Sequence, residues 1–257
     1  MCTNIALEAA HARALDRWAR PFPGFTSGHD PRTSDQGLLT CLYGSLEHAA
    51  RHEWLNAGRR LIDKTYIGML WHVQDLTDLR GVRAEQVAAG LDAFIRDVVR
   101  PVWAELPHLP EGTSLAISTA WVEQMAGSCF GSVYSEAAAS RLMFFLFPML
   151  PVFNLSQGHR LALDEIGHPP DRQGYRAFAQ AASSAYQAYL PRLVDHPRPA
   201  PSAADPRQGH LIQDLLEQTD WWTRRIFDHH LRSCLRCGVS DAPHLFGSDD
   251  AGHFGEA

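Results

Sequence analysis

The sequence predicts an all-α protein. Apolar residues recur at helical spacing in several separate stretches, and no stretch alternates between apolar and polar residues as a half-buried strand does. Segments rich in proline and glycine separate these stretches, and we find no internal repeat. We therefore expect a single helical domain over residues 1–232. A C-terminal segment rich in Gly, Ser and Asp, residues 233–257, is expected to be a mobile tail.

The composition is that of a globular protein. Of 257 residues, 45% are hydrophobic and 20% are charged, which is enough apolar material for a full core. A formal charge of -6 argues against a strongly basic nucleic-acid binder. Lys64 is the single lysine among 23 basic residues, so all the others are arginines. The planar guanidinium of arginine can donate two parallel hydrogen bonds to a phosphate.

The sequence also predicts a cytoplasmic protein without a membrane segment. The N-terminal stretch carries Glu8 and Asp16 and has no continuous apolar core of the signal-peptide kind. The longest apolar run, 142–153, is too short and too interrupted by proline to span a bilayer. Five cysteines without framework spacing are typical of reduced thiols. We expect a monomer.

Each predicted helix rests on apolar positions that share one face. The first has Leu7, Ala10, Ala14 and Trp18, and a loop over residues 20–37 follows it. The next two predicted helices are one from Ser45 onwards, with Leu46, Ala50, Trp54, Ala57 and Leu61, and one ahead of Pro101, with Val87, Leu91, Phe94, Ile95 and Val98. A helix over residues 111–127, capped by Thr113 or Ser114, comes before the central segment, and a helix with Tyr175, Phe178, Ala182, Tyr186 and Leu190 follows that segment. The last predicted helix starts at Asp205-Pro206, runs to about Leu231 and has Ile212, Leu215, Leu216, Trp222, Ile226 and Phe227 on its apolar face.

The stretch from Gly127 to Leu163 organises this interpretation. It contains a Gly/Ser-rich turn, a helix over 137–147 with apolar residues on nearly every face, and a break at Pro148 and Pro151. A helix of that composition belongs in the middle of a fold. Asn154 then stands where the N-cap of the next helix is expected.

This order of parts resembles the core of the helix-hairpin-helix DNA glycosylases, in particular the 8-oxoguanine type. The resemblance rests on a glycine-containing hairpin, the buried helix, the segment Pro151-Val152-Phe153-Asn154 and a helix with polar and basic residues in its first turns. It covers about forty residues. The Trp221–Leu231 segment resembles the family more weakly. The hairpin has Gly127 and Gly131 but lacks the family's usual glycine pattern. The resemblance implies a compact, two-lobed helical fold.

The resemblance also implies a partner and a set of contacts. In that family the hairpin amides hold a phosphate of double-stranded DNA, and a base flipped from the duplex enters a pocket. Carried onto this sequence, the phosphate contacts are Gly131, Ser132, Ser135, Arg141, Gln157 and Arg160. Aromatic residues that would line a base pocket are Phe22, Phe25, Trp54 and Trp71. The alternative for these residues is ordinary: a helix cap, surface arginines, and aromatics that belong to the core.

Asn154 occupies the position where the family has its catalytic aspartate. A carboxylate there stabilises the positive charge that forms on the sugar as the base leaves, whereas an amide carries no charge. Three explanations stay open: the leaving base departs easily because it is modified, another carboxylate such as Asp164, Glu165 or Asp63 has taken over, or the protein only binds DNA. Asp164 lies ten residues along, which is about 15 Å in a helix.

Strand cleavage is not expected. Lyase-type members of the family form a Schiff base through a lysine on the hairpin's second helix, and residues 135–147 contain none. Lys64 could serve only by approaching from its own helix. We expect no cofactor and no metal, because Cys234-x-x-Cys237, with His229, His230 and His244 nearby, lacks a second ligand pair at the usual zinc spacing.

The resemblance thus predicts a monofunctional DNA glycosylase that leaves an abasic site. A specialised substrate is favoured over routine 8-oxoguanine repair, for example the bulky glucosylated hydroxymethylcytosine of phage DNA, whose excision would be an antiviral defence. Two other hypotheses stay open. One is a catalytically silent DNA-binding module, and the other is a helical domain that binds a small molecule or a protein and has no relation to DNA.

Overall fold

The computed structural model describes residues 2–19, 34–51, 67, 79, 81–200 and 206–238. These residues form nine α-helices and no strand, which confirms the all-α prediction. The helices are α1 (Cys2–Ala19), α2 (Asp35–Arg51), α3 (Ala84–Phe94), α4 (Glu111–Ser128), α5 (Glu136–Leu146), α6 (Gln157–Glu165), α7 (Tyr175–Leu193), α8 (Pro206–Gln218) and α9 (Trp221–Gly238). None of the helices in these ranges is both long enough and apolar enough to cross a membrane.

The α5 helix lies at the centre of the core, as its composition predicts. Its apolar residues from Ala138 to Leu146 are all buried, and it packs against α4 and α2. The indole of Trp221, at the start of α9, donates a hydrogen bond to the carbonyl of Phe144 at 2.9 Å. The α1 helix packs against α9, and the residues of its predicted apolar face are all buried, namely Leu7, Ala10, Ala14 and Trp18.

Two predicted helix starts are wrong, and a side-chain cap explains the first of them. The second helix begins at Asp35, inside the predicted loop, because the hydroxyl of Ser34 accepts from the amide of Gly37 at 3.0 Å. The N-cap of α4 is Pro110, so Thr113 and Ser114 lie within its first turn. The α3 helix ends ahead of Pro101, as predicted, and the chain continues as a π-helix over Ile95–Val99 and a 3-10 helix to His108.

The predicted last helix is two helices. It breaks at Thr219–Asp220, between α8 and α9, and the hydroxyl of Thr219 accepts from the amide of Trp221 at 3.3 Å. The α9 helix then continues to Gly238, beyond the predicted end at about Leu231 and into the segment predicted to be a tail. Residues 239–257 lie outside the described residues.

A tight turn joins α4 to α5 at the position where the resemblance predicts a hairpin. Residues 129–134 make the turn, and Gly131 has a φ of +67°, a left-handed conformation that favours glycine. Ser135 caps α5 by accepting a hydrogen bond from the amide of Ala138 at 3.1 Å, which is the ordinary alternative to the predicted phosphate contact. The α3 helix approaches this turn closely, since a Cβ on Gly90 would lie 2.8 Å from the Cα of Cys129.

Candidate functional site

The connection between α5 and α6 starts with a turn, in which the amide of Leu150 donates to the carbonyl of Phe147 at 2.9 Å, and has no regular secondary structure from residue 151 to the start of α6. Residues 152–155 are all buried. Met149, Pro151 and one part of Phe153 line surface cavities. The segment that the resemblance singles out thus borders open space, although Asn154 lines neither of these cavities.

Asn154 does not cap α6, contrary to the prediction. The N-cap is Ser156, whose hydroxyl accepts from the amide of His159 at 3.0 Å, and α6 starts at Gln157. The side-chain nitrogen of Asn154 instead donates to the Oδ1 of Asp228, in α9, at 3.0 Å. Asn154 is only 3% exposed. Its amide therefore joins two parts of the core and does not present itself to a ligand.

Asp228 is held ionised by its surroundings. Burial alone would raise the pKa of this carboxyl, but the cations of Arg232 and Arg225 together outweigh that effect, and the net pKa lies well below the usual value. One guanidinium nitrogen of Arg225 donates to the Oδ2 of Asp228 at 3.0 Å. The same guanidinium makes two further bonds, at 2.7 and 2.9 Å, to the carboxylate of Asp35 in α2.

These residues form a buried polar chain from α2 through α9 to the segment before α6. Its order is Asp35, Arg225, Asp228 and Asn154, and all four side chains are buried. Burial lowers the pKa of Arg225, but the carboxylates of Asp35 and Asp228 outweigh it, so the net pKa is raised and the cation is retained. A charge pair of this kind is costly to break, because removing one partner leaves the other charge buried and uncompensated.

A small void lies beside Asn154 and His159. The imidazole Nε2 of His159 lies 3.6 Å from the Oδ1 of Asp228, while its Nδ1 contacts the carbonyl oxygen of Asn154. Burial lowers the pKa of His159, so the ring is neutral near pH 7 and its Nδ1 hydrogen donates to that carbonyl. The void measures about 10 Å³. It has room for about one water molecule and none for a base.

Two larger cavities border the segment between α5 and α6. One has a volume of about 460 Å³, and its lining includes Tyr43, Glu47, Trp103, Asp214 and Asp220. The other has about 250 Å³ and is lined by Glu111, Pro151, Phe153, Tyr186 and Asp220, among others. Both cavities touch Met149 and Asp220, so these two residues mark the boundary between them.

The larger cavity combines aromatic rings with acidic groups. The rings of Tyr43 and Trp103 have their centroids 6.5 Å apart. The carboxylates of Glu47, Asp214 and Asp220 accept hydrogen bonds and repel anions. A volume of this order is within the range of cavities that hold small ligands. The cavity therefore suits a flat ligand that brings hydrogen-bond donors or a positive charge.

Asp220 is positioned by a buried arginine. The Nε of Arg224 donates to the Oδ1 of Asp220 at 2.7 Å, and its other nitrogens donate to the carbonyls of Pro148, at 2.6 Å, and Val152, at 3.2 Å. The side chain of Arg224 is fully buried, whereas 43% of the Asp220 side chain is exposed. The Arg224 guanidinium thus holds both the segment from Pro148 to Val152, which borders the cavities, and the accessible carboxylate of Asp220.

The predicted phosphate contacts divide into two groups. Gly131, Ser132 and Gln157 are exposed, and the first two lie on the hairpin turn. Ser135 is buried and caps α5, and half-buried Arg160 is engaged within the protein, donating to the carbonyl of Gly174 at 2.8 Å with its guanidinium over the ring of Phe178. Arg141 is half-buried, and its Nε lies in the interior.

The remaining predicted site residues are not brought together. Asp164 and Glu165 are exposed at the end of α6 and line none of the three cavities above. Other predictions lie outside the described residues, namely Phe22, Phe25, Trp54, Asp63, Lys64, Trp71 and His244. Of the suggested metal ligands, His230 contacts the Sγ of Cys234 at 3.6 Å through its Nε2.

Sequence reasoning missed Asp220, Arg224, Arg225 and Asp228. A signal was present, because Asp220 and Arg224 are four residues apart and Arg225 and Asp228 are three apart, the spacings at which helical side chains meet. The spacing shows that these pairs can form. It does not show that they face the segment at 148–154, since that contact depends on the tertiary packing.

Comparisons with protein-family models, curated protein sequences and solved structures found no match to this chain.

Proposed function

We propose that this protein is a monofunctional DNA glycosylase that hydrolyses the bond between a modified base and its sugar. The observation that carries the proposal is the position of Asp220, an accessible carboxylate at the boundary of two cavities beside the 149–153 segment. The helical order agrees with it: a hairpin with a left-handed glycine, a capped and buried helix, and a segment that borders the cavities before the next helix.

Asp220 takes the role that the resemblance assigned to position 154. Cleavage of a glycosidic bond builds positive charge on the sugar, and a fixed carboxylate stabilises that charge or accepts a proton from the attacking water. Arg224 holds Asp220 in place through the Nε bond at 2.7 Å. Asn154 then has a structural role only, because its amide is bonded to Asp228 in the interior.

The larger cavity receives the flipped base. Tyr43 and Trp103 offer aromatic surfaces for a planar ring, and the carboxylates of Glu47 and Asp214 accept from its donors. A cavity of about 460 Å³ leaves room for a bulky substituent on the base. This favours hydroxyl-rich modified bases, such as glucosylated hydroxymethylcytosine in phage DNA, and cationic alkylated bases. Such excision from phage DNA would be an antiviral defence.

The duplex contacts the protein at the hairpin. Gly131 and Ser132 are exposed on the turn. Because buried Ser135 already caps the amide of Ala138, the phosphate contact is made by the exposed backbone of the turn. Because a net charge of -6 repels the DNA backbone, the contact is local and centred on the hairpin and does not extend along a long basic groove.

The test is a panel of duplex oligonucleotides that carry 8-oxoguanine, an alkylated purine, uracil or glucosylated hydroxymethylcytosine. Each is incubated with the protein, and the strand is analysed with and without alkali. We expect one modified duplex to yield alkali-labile abasic sites, with little cleavage before alkali since residues 135–147 contain no lysine. Intact strands on every substrate after alkali would contradict the proposal.

The acidity of the larger cavity supports a second candidate function, the binding of a cationic aromatic small molecule without DNA. Glu47, Asp214 and Asp220 would pair with the cation, and Tyr43 and Trp103 would contact its ring. Binding to duplex DNA separates the two functions. A glycosylase binds duplex with an affinity that falls as salt rises, whereas a small-molecule receptor shows no such binding.

A further inference from the structure

Two residues of α1, Glu8 and His11, lie close to one residue of the α7–α8 connector, His196. Glu8 and His11 are three positions apart in α1, so their side chains project from the same face of the helix. His196 follows the end of α7 and stacks its ring on that of His11, with the ring centroids 4.7 Å apart. One potential ligand atom of each residue lies within 4.8 Å of the other two.

The connector is held in this position by contacts to two helices. The indoles of Trp18 and Trp222 donate to the carbonyls of Ala200 and Pro197, at 3.2 and 3.1 Å. The Nε2 of His11 lies 3.2 Å from the same Pro197 carbonyl. These contacts place His196 against α1 independently of Glu8.

The contact of the His11 Nε2 with the Pro197 carbonyl leaves Nδ1 as the ring atom that can bind an ion. In histidines that bind metal ions, the second ring nitrogen commonly donates to a backbone carbonyl in this way. His196 adds a second imidazole and Glu8 a carboxylate.

We propose that Glu8, His11 and His196 form a binding site for a divalent transition-metal ion of the Zn²⁺ class. Two imidazoles and a carboxylate are a common ligand set for zinc with one coordination position left open. Bonds of about 2.1 Å require ligand atoms within about 4.2 Å of each other. The three ligand atoms lie within 4.8 Å of one another, so small side-chain rotations of exposed Glu8 and half-buried His196 toward buried His11 are enough to reach this separation.

The ion would join the first helix to the connector that leads to α8. It binds the folded chain, in which the three groups converge, more tightly than the unfolded chain, and so it raises the free energy of unfolding. This inference does not depend on the glycosylase proposal, because the three residues line none of the cavities described above.

The experiment uses the full chain, freed of metal by a chelator that is then removed. Zn²⁺ is titrated by calorimetry, and Co²⁺ by its visible spectrum, into the wild type, Glu8→Gln, His196→Ala and a control, His210→Ala. His210 is exposed on α8 and forms no such cluster with other residues of the part of the chain that the structure describes. Glu8 is exposed and His196 half-buried, so both variants should keep the fold.

The wild type and His210→Ala should bind one ion per chain at this site, with no thiolate-to-cobalt charge-transfer band, and Zn²⁺ should raise their Tm. Changes outside the ligand set alone cost about 10- to 100-fold in affinity, so His196→Ala and Glu8→Gln should weaken binding by at least about tenfold. The rise in Tm should be lost in His196→Ala. Equal affinity and an equal Tm rise in all four proteins, or a thiolate band, would overturn the proposal.

Discussion

The amide nitrogen of Asn154 donates a hydrogen bond at 3.0 Å to the carboxylate of Asp228, a residue 74 positions away in the chain. Both side chains are buried. This relationship explains why an asparagine is suited to position 154, because a second carboxylate would face the first in an environment that cannot separate their charges.

Asn154→Asp should therefore destabilise the protein and should not create a catalytic residue. The new carboxylate would lie against Asp228 without a donor between them, a buried charge that costs about 3–5 kcal/mol when it lacks a partner. The free energy of unfolding, measured by urea denaturation, checks this. Gln157→Glu, on the exposed surface of α6, is the matched control and should change stability by less than about 0.5 kcal/mol. Equal stability of the two variants would contradict the expectation.

The hairpin turn and α3 are in backbone contact at Gly90. A Cβ there would lie 2.8 Å from the Cα and 3.0 Å from the carbonyl oxygen of Cys129. Gly90→Ala should cost about 1–3 kcal/mol, since backbone atoms cannot give way as a flexible side chain can.

Gly44→Ala in α2 is the matched control for that substitution. Its Cβ would first meet the side chain of Leu211, at 3.7 Å, which is ordinary contact. The gain in helix propensity, about 0.5–1 kcal/mol, should make this variant at least as stable as the wild type. Thermal unfolding of both variants checks the pair, and a destabilised Gly44→Ala beside a neutral Gly90→Ala would show that α3 does not approach the turn as described.

Stability should decrease as the pH falls below about 6.5. Burial lowers the pKa of His159, His229 and His230, the last to about 4. Between the folded and unfolded pKa values, the unfolded chain binds protons that the folded chain does not, so folding is penalised as acid is added. Each such histidine contributes up to about 1.4 kcal/mol per pH unit.

Urea denaturation at pH 7, 6 and 5 measures this slope. His230→Gln should lower the slope, whereas His210→Gln, a change at an exposed residue, should leave it as in the wild type. Asp228 acts at lower pH: its pKa is depressed in the folded state, so its contribution is present above about 4 and is lost as the pH falls further. A free energy of unfolding that is constant from pH 7 to pH 5 would show that these histidines are accessible to protons.

Sequence patterns predicted the features that depend on neighbouring residues. The buried face of α1 and the turn between α4 and α5 are both local, since each is decided within a few positions. The helix break at Thr219–Asp220 was missed because the apolar spacing continues across it. The N-cap was assigned to Asn154 when a better placed hydroxyl stands two residues later, at Ser156.

The candidate site could not be predicted in the same way. Whether position 154 faces a cavity or the core depends on the partner that α9 brings to it, since the Asn154 amide donates to Asp228 in the interior. The role of Arg224 is set by the two carbonyls of the 148–152 segment, more than 70 positions before it. Such contacts leave no periodic trace in the sequence, so the charge spacing in α9 alone could not reveal them.

The most direct test of the proposed function is the single-turnover rate of base excision by Asp220→Asn, compared with Asp164→Asn, on the modified duplex that the wild type cleaves. Asp220 is the accessible carboxylate held by Arg224 at the cavities, whereas Asp164 is exposed at the end of α6 and lines neither cavity. We predict that Asp220→Asn lowers the rate by about 10²- to 10³-fold with duplex affinity retained, while Asp164→Asn matches the wild type. Wild-type rates for Asp220→Asn would contradict the assignment of this carboxylate as the catalytic group.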